Sequence, residues 1–309
     1  MFFDNMKTAA TQVGVLFIMA AVGFVCCKVK IYSDKTAKAT TDLLFYVIIP
    51  CLIVESFIDM EYSSEMLKKF LISLALGFAT HFIAILINLP FFSKKKDINN
   101  AIYKFGSIYG NVGFMALPLA NAILGAEGVF YCASGVIAFN VISFTHGVAV
   151  MSKEEKGFDF KRLILNPGVL SVVVGMPLFL LQVKLPTIIV QPISGIAALN
   201  TPIAMIIFGT FLAKTDLKTM FTDKKIYLVA LMKLLVLPLI VLAAYKLCGV
   251  TGTLLTACTI TASVPSANNT TMFAAKFGHD ASLASKTVSL TSIMSILTLP
   301  VIIAIAQTL

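Results

Sequence analysis

Ten apolar runs in succession constrain this chain more than any other feature. They lie at about 8–27, 39–58, 70–91, 101–123, 127–151, 163–182, 187–213, 225–247, 251–275 and 281–307. Each approaches the roughly 20 residues that carry a helix across a bilayer. In hydrocarbon every backbone N–H and C=O must be paired within the protein, and unbroken apolar runs of this length do so as helices. Charged residues make up 13% of the chain, and the mean hydropathy is +0.93. Soluble domains average about 25% charged residues. The pattern predicts an all-α polytopic membrane protein with about ten transmembrane helices and no room for a separate soluble domain.

Ten crossings put both termini on one face. The loops after the odd-numbered runs hold eighteen of the 24 Lys and Arg residues, and the opposite face holds five. Cytoplasmic loops carry the basic excess, so both termini are expected to be extracytoplasmic. The net charge of +9 is then a topology signal rather than a nucleic-acid footprint, and the lipid bilayer is the expected partner. Met1–Lys7 carries one Lys before a run too long for a signal-peptide core, so this run is read as the first span. The six cysteines lie in or beside apolar runs with no Cys-x-x-Cys spacing and read as buried thiols. With no Trp, any aromatic belt is made of Tyr and Phe.

Two runs are interrupted. Tyr109-Gly110-Asn111-Val112-Gly113-Phe114-Met115-Ala116-Leu117-Pro118-Leu119-Ala120-Asn121 carries glycines, asparagines and a proline that a simple span does not need. Val264-Pro265-Ser266-Ala267-Asn268-Asn269 repeats the signal. Proline removes a helix donor, and the freed backbone groups must face protein or a cavity. Both stretches read Pro-x-Ala-Asn, from Pro118 to Asn121 and from Pro265 to Asn268. Paired breaks in two halves point to a transporter's substrate site. Five spans on each side of the loop near 152–162 make the halves opposite in orientation. The expectation is a 5+5 inverted repeat: residues 1–151, a short cytoplasmic linker at 152–162, and residues 163–309, with broken crossover helices four and nine.

At this point the chain resembles the auxin efflux carrier family, which includes bacterial permeases and the plant PIN-type carriers. The resemblance covers nearly the whole chain. It rests on Gly110-Asn111-Val112-Gly113-Phe114…Leu117-Pro118 and on Val264-Pro265-Ser266-Ala267…Ala275-Lys276-Phe277-Gly278-His279-Asp280. Further matches are Asn166-Pro167, Pro202 with Ile207-Phe208-Gly209, and Lys233-x-x-x-x-Pro238. It implies a bile-acid symporter-like fold, in which helices 1, 2, 6 and 7 form a scaffold that also dimerises. Helices 3–5 and 8–10 form a mobile transport unit whose broken helices cross at their prolines. It also implies a secondary transporter of small organic anions, malate-like or auxin-like carboxylates, in the cell (inner) membrane. Plant members have a long loop between spans five and six, whereas here it is about ten residues. They also place an Asp-Lys pair in span three that Leu71–Leu89 lacks.

The restarted half-helices present unpaired N–H groups and positive dipole ends, which suit an anion without an Arg or Lys. Asn111, Asn121, Asn268 and Asn269 either cap the breaks or donate to a carboxylate; with Pro118 and Pro265 they form the candidate substrate site. Lys233 lies nine residues past Lys224, about 13 Å into the membrane. It either attracts the anion or holds carbonyls freed by a break, and nearby breaks favour the second. His81 is a candidate coupling residue or a hydrogen-bonded core histidine. Glu55 is a candidate proton site or part of an acidic cluster with Asp59 and Glu61. Ser263, Ser266, Thr270 and Thr271 offer oxygens for sodium. H+ and Na+ therefore both stand as coupling ions, and uniport or exchange fits equally. No metal or organic cofactor is expected. A passive anion channel, or a sodium- or proton-coupled carrier of another solute, is the alternative. No intramembrane protease motif is present, so no catalytic residue is assigned.

Overall fold

A computed structural model describes residues 2–92, 99–152, 165–215 and 217–309. Apart from Ser152, the linker expected at 152–162 lies outside the described residues. So do Lys94, Lys95 and Lys96. Among the described residues the chain is helical. Its elements are α1 (Phe2–Lys28), α2 (Lys35–Ile58), α3 (Ser64–Asn88), α4 (Asn100–Ile108), α5 (Val112–Met151) and α6 (Pro167–Leu181). There follow α7 (Thr187–Lys214), α8 (Leu217–Met220), α9 (Lys224–Leu247), α10 (Gly252–Ser263), α11 (Asn269–Lys276) and α12 (Ala281–Thr308). Seven of these, α1, α2, α3, α5, α7, α9 and α12, are long and apolar enough to cross a membrane. The chain is thus a multi-pass membrane protein.

Helix starts follow capping chemistry. Ser63 Oγ accepts from Met66 N at 3.1 Å before α3, and Asp280 Oδ1 from Leu283 N at 3.0 Å before α12. Each side chain satisfies an N–H that has no partner within its helix. At 40 residues, α5 would run about 60 Å if straight, twice the thickness of a hydrocarbon core. It turns at Gly125, whose φ of 64° and ψ of −154° belong to glycine alone. Among the described residues, four π-helical turns lie within or at the start of the long helices. Three of them, Leu44–Ile48, Val112–Ala116 and Met232–Val236, immediately precede Pro50, Pro118 and Pro238. Proline has no N–H and its ring crowds the carbonyl four residues back. Widening the turn relieves both conflicts and keeps the helix running.

Helix contacts rely on small residues and aromatics. α1 packs along α7 and α12. A Cβ on Gly23 would fall 2.1 Å from Ile206 O, and one on Gly209 would fall 1.8 Å from Ala20 O. Backbones approach this closely only through glycine, the usual device for helix pairs in lipid. At the Asp59 end of α2, Phe57, Phe70, Phe130 and Phe179 interlock α2, α3, α5 and α6. Their ring centroids are 4.8 Å apart for Phe57–Phe130 and 5.1 Å for Phe130–Phe179. Such pairs add about 0.5–1.5 kcal/mol each beyond area burial.

Candidate functional site

The apolar runs at 101–123 and 251–275 each hold a helix that stops and restarts. α4 ends at Ile108 and α5 begins at Val112. α10 ends at Ser263 and α11 begins at Asn269. The two gaps meet in an antiparallel bridge between Gly110 and Ser266. Asn111 N donates to Pro265 O at 2.8 Å, and Ala267 N donates to Tyr109 O at 2.9 Å. Each break thereby satisfies backbone groups freed by the other, as hydrocarbon surroundings demand. Ser266 Oγ donates to Gly106 O at 2.7 Å, and Thr291 Oγ1 accepts from Ser266 N at 3.2 Å.

The crossing lies at Gly110, eight residues before Pro118, so the expectation that both helices cross at their prolines is corrected for the first break. Pro118 is buried inside α5, where the preceding π turn absorbs its missing donor. Pro265, by contrast, sits in the gap itself. The two Pro-x-Ala-Asn echoes thus occupy different structural positions.

Lys233 is 1% exposed. Its Nζ donates to Ala262 O at 2.9 Å, a carbonyl in the last turn before the second break. The amine also lies against Gly110, where a Cβ would fall 2.9 Å from Nζ and 3.1 Å from Val264 Cγ2. Glycine is needed at this close approach.

A cavity of about 630 Å³ opens from the crossing toward the Asp42 end of α2. Gly110, Asn111, Val112 and Gly113 line it from the first break, and Ala267, Asn269 and Met272 from the second. Asp42, Phe45 and Tyr46 of α2, Phe139, Asn140 and Phe144 of α5, and Asn166 also contribute to the wall. Asn140 and Asn166 bond reciprocally, Nδ2 to Oδ1, at 3.2 and 3.1 Å. Asn166 Oδ1 also caps α6 at Gly168 N. Beside the crossing, Asn111 Nδ2, Asn268 Nδ2 and Thr270 Oγ1 are buried with no hydrogen-bond partner among the described residues. A native protein seldom leaves such groups unpaired; here the two amide nitrogens can donate to a ligand, and the Thr270 hydroxyl can donate or accept. Ser263 Oγ and Ser266 Oγ are committed to backbone carbonyls.

A second cavity, of about 300 Å³, lies at the other end of α2. Glu55, Ser56 and Asp59 line it with Asn121, Ala126 and Ser194. Asn121 and Glu55 therefore stand apart from the Asn111–Asn269 wall. Burial, and then the charge of Glu55, raise the Asp59 carboxyl above its ordinary range. His81 Nδ1 bonds Gly77 O at 2.8 Å, and its ring lies 5.9 Å from Tyr109 and 6.3 Å from Phe139. Sequence reasoning did not single out Asn140, named Tyr109 only as the start of the first interruption, and offered Ser266 only as an oxygen for sodium. An amide at 140 within the apolar run 127–151 was a legible signal, because intramembrane polar residues are rare.

A family model described as "Membrane transport protein" matches residues 8–162 and 153–303, nearly the whole chain. The chain is 22% identical over 292 residues to a protein of Methanocaldococcus jannaschii named "Uncharacterized transporter MJ1031", covering 92% of this chain and 94% of that protein. It is 21% identical over 293 residues to a "Putative malonate transporter" of Rhizobium meliloti, covering 91% of each.

Proposed function

Since this chain belongs to the membrane transport protein family, the auxin efflux carrier family whose motifs it carries, we propose that it is a secondary carrier of small organic anions working by alternating access. One observation carries this reading. Two broken helices are joined backbone to backbone at the base of a cavity, with the Asn111 and Asn268 amide donors buried and unpaired beside the joint. α5 and α11 both restart there, so their positive ends favour a carboxylate. Asn111, Asn268 and Asn269 are the proposed substrate contacts. Lys233 holds the second break in shape and adds positive charge behind it. The relative named for malonate makes dicarboxylates the first class to try.

In this reading α4 with the start of α5, the rest of α5, the short α6, and α10 with α11 complete ten crossings in a 5+5 inverted arrangement. α1, α2, α6 and α7 form the scaffold and a homodimer contact; the remaining helices form the moving unit. The basic loops put the Asp42 end of α2 in the cytoplasm and both termini outside. The 630 Å³ cavity is then the inward-open half of the path.

The test is counterflow in proteoliposomes, with malonate, malate, succinate and indole-3-acetate as probes. Saturable uptake accelerated by the same anion inside supports the carrier. An unsaturable current with no exchange acceleration overturns it in favour of a channel.

A further inference from the structure

The cavity that opens from the crossing has a second polar corner, where the start of α6 meets α5. We propose that Asn166 is a further substrate contact, whose amide receives the second carboxylate of an aliphatic diacid while the crossing receives the first. The proposal rests on the carrier reading and narrows its substrate class.

Asn166 and Asn140 both line the cavity and are 5% and 4% exposed. Backbone N–H groups only donate, so the Asn166 oxygen is the atom that faces Gly168 N at 3.0 Å and Val169 N at 3.4 Å. The same Oδ1 accepts from Asn140 Nδ2 at 3.2 Å, which takes up its acceptor capacity. Asn166 Nδ2 carries two hydrogens and gives one to Asn140 Oδ1 at 3.1 Å. The other has no acceptor among the described residues. Asn140 Nδ2 uses both of its hydrogens, on Asn166 Oδ1 and on Val136 O at 2.8 Å. Asn166 therefore offers the cavity a donor, and Asn140 does not. That donor is fixed in place. Turning the amide over would set Nδ2 against two backbone N–H groups, and Asn140 Oδ1 holds its first hydrogen. Gly168 lets α6 come this close to α5, since a Cβ there would fall 2.8 Å from Val136 Cγ1.

On the crossing side the same cavity is lined by Asn111, which is 3% exposed and whose Nδ2 has no partner among the described residues. Two fixed donors on different helices in one cavity suit a ligand with an acceptor at each end. α6 begins at Pro167, so the positive end of its dipole lies at the Asn166 corner and favours negative charge there. The lining also holds Phe45, Ile49, Val136, Phe139 and Phe144, which suit methylene groups. An aliphatic chain with a carboxylate at either end matches this set. At about 630 Å³ the cavity lies within the range that encloses whole small-molecule ligands, so it has room for diacids longer than malonate. Asp42 in the same lining repels negative charge. The second carboxylate therefore needs a fixed donor to remain in the cavity.

The test is ligand-dependent thermal stabilisation of the purified protein. It compares malonate with propionate, succinate with butyrate, and glutarate with pentanoate, pairs that differ by one carboxylate. In the unaltered protein at least one diacid is expected to act at about ten-fold lower concentration than its matched monoacid, the worth of one hydrogen bond to a charged group. Asn166→Ser keeps a capping oxygen for α6 and withdraws the amide. It should weaken that diacid about ten-fold and the monoacid far less. Asn140→Leu keeps the bulk, removes the oxygen that orients the amide, and should show the same split more mildly. Asn111→Ala should weaken both acids of the pair. A variant that merely disturbs the fold would also weaken both, so the split separates contact from support. No preference for any diacid in the unaltered protein overturns the inference. So does an Asn166→Ser loss that is absent or shared equally by the monoacid. Counterflow of the same diacids in proteoliposomes tests the carrier reading separately. Where it is present without the split, the carrier stands and Asn166 is no contact. Where no carboxylate stabilises or exchanges, both readings fall.

Discussion

The two breaks that meet at the crossing are held by different means. The first, Tyr109 to Asn111, is held mainly by shape, with the Tyr109 hydroxyl also bonded to Ile142 O and His146 Nδ1. Gly110 fits against the Lys233 amine, and the Tyr109 ring is packed among Phe105, Phe139, His81 and His146. The second, Val264 to Asn268, is held by hydrogen bonds. Lys233 takes Ala262 O, Ser266 Oγ takes Gly106 O, and Thr291 receives Ser266 N. Their shared features are the two backbone bonds between them and one unpaired amide each, Asn111 Nδ2 and Asn268 Nδ2. A break therefore does not prescribe its own support. What the two have in common is what a ligand would meet.

The comparison can be broken hardest at Lys233, which serves both breaks. Lys233→Met leaves Ala262 O buried without its donor, at a cost of about 1–3 kcal/mol. Thermal unfolding in detergent should show a clear loss of stability, accompanied by loss of transport. Gly110→Ala tests the break held by shape. Its Cβ meets Nζ at 2.9 Å, and overpacking of this kind costs about 1–3 kcal/mol. Gly113→Ala, in the same cavity wall but 3.6 Å from its nearest neighbour Ile49 Cδ1, should be close to neutral. Equal effects from the two glycines would refute the distinction. Ser266→Ala tests the break held by hydrogen bonds and should cost about 1 kcal/mol, with backbone bridging retained.

The smallest effect lies away from both breaks, at Asp59. Its carboxyl is raised by burial and by Glu55, so the folded state binds a proton more readily than the unfolded chain. Stability should then fall as pH rises from the ordinary carboxylate range through the raised value. Glu55→Gln should narrow that window without closing it, since burial remains. Unfolding midpoints measured across acidic pH check the sign.

Much of this was legible in the sequence because membrane helices announce themselves by length and apolarity. The run at 39–58 became Lys35–Ile58, and that at 281–307 became Ala281–Thr308. Ser63 and Asp280 set two starts by ordinary capping. The interruptions were legible as well, but not their position. Pro118 is the louder local signal, yet a π turn accommodates it, whereas Gly110 marks the crossing because Lys233 and Ser266 approach it from 120 and more residues away. The separation of Asn121 from Asn111 was illegible for the same reason. A shared Pro-x-Ala-Asn motif says nothing about which cavity its asparagine enters. The depth of Lys233 foretold that it would matter; its partner, Ala262 O, belongs to tertiary structure.

The central claim is that the unpaired amides of the two breaks receive the anion. Its most direct test is ligand-dependent thermal stabilisation of the purified protein, using malonate and the other carboxylates that support counterflow. Asn111→Ala and Asn268→Ala would be compared with the unaltered chain. The account predicts that each variant unfolds near the unaltered temperature without ligand. Each should also need about ten-fold more carboxylate for the same stabilisation, as expected for the loss of one hydrogen bond to a charged group. Stabilisation by carboxylate that is the same in both variants and in the unaltered protein would contradict it.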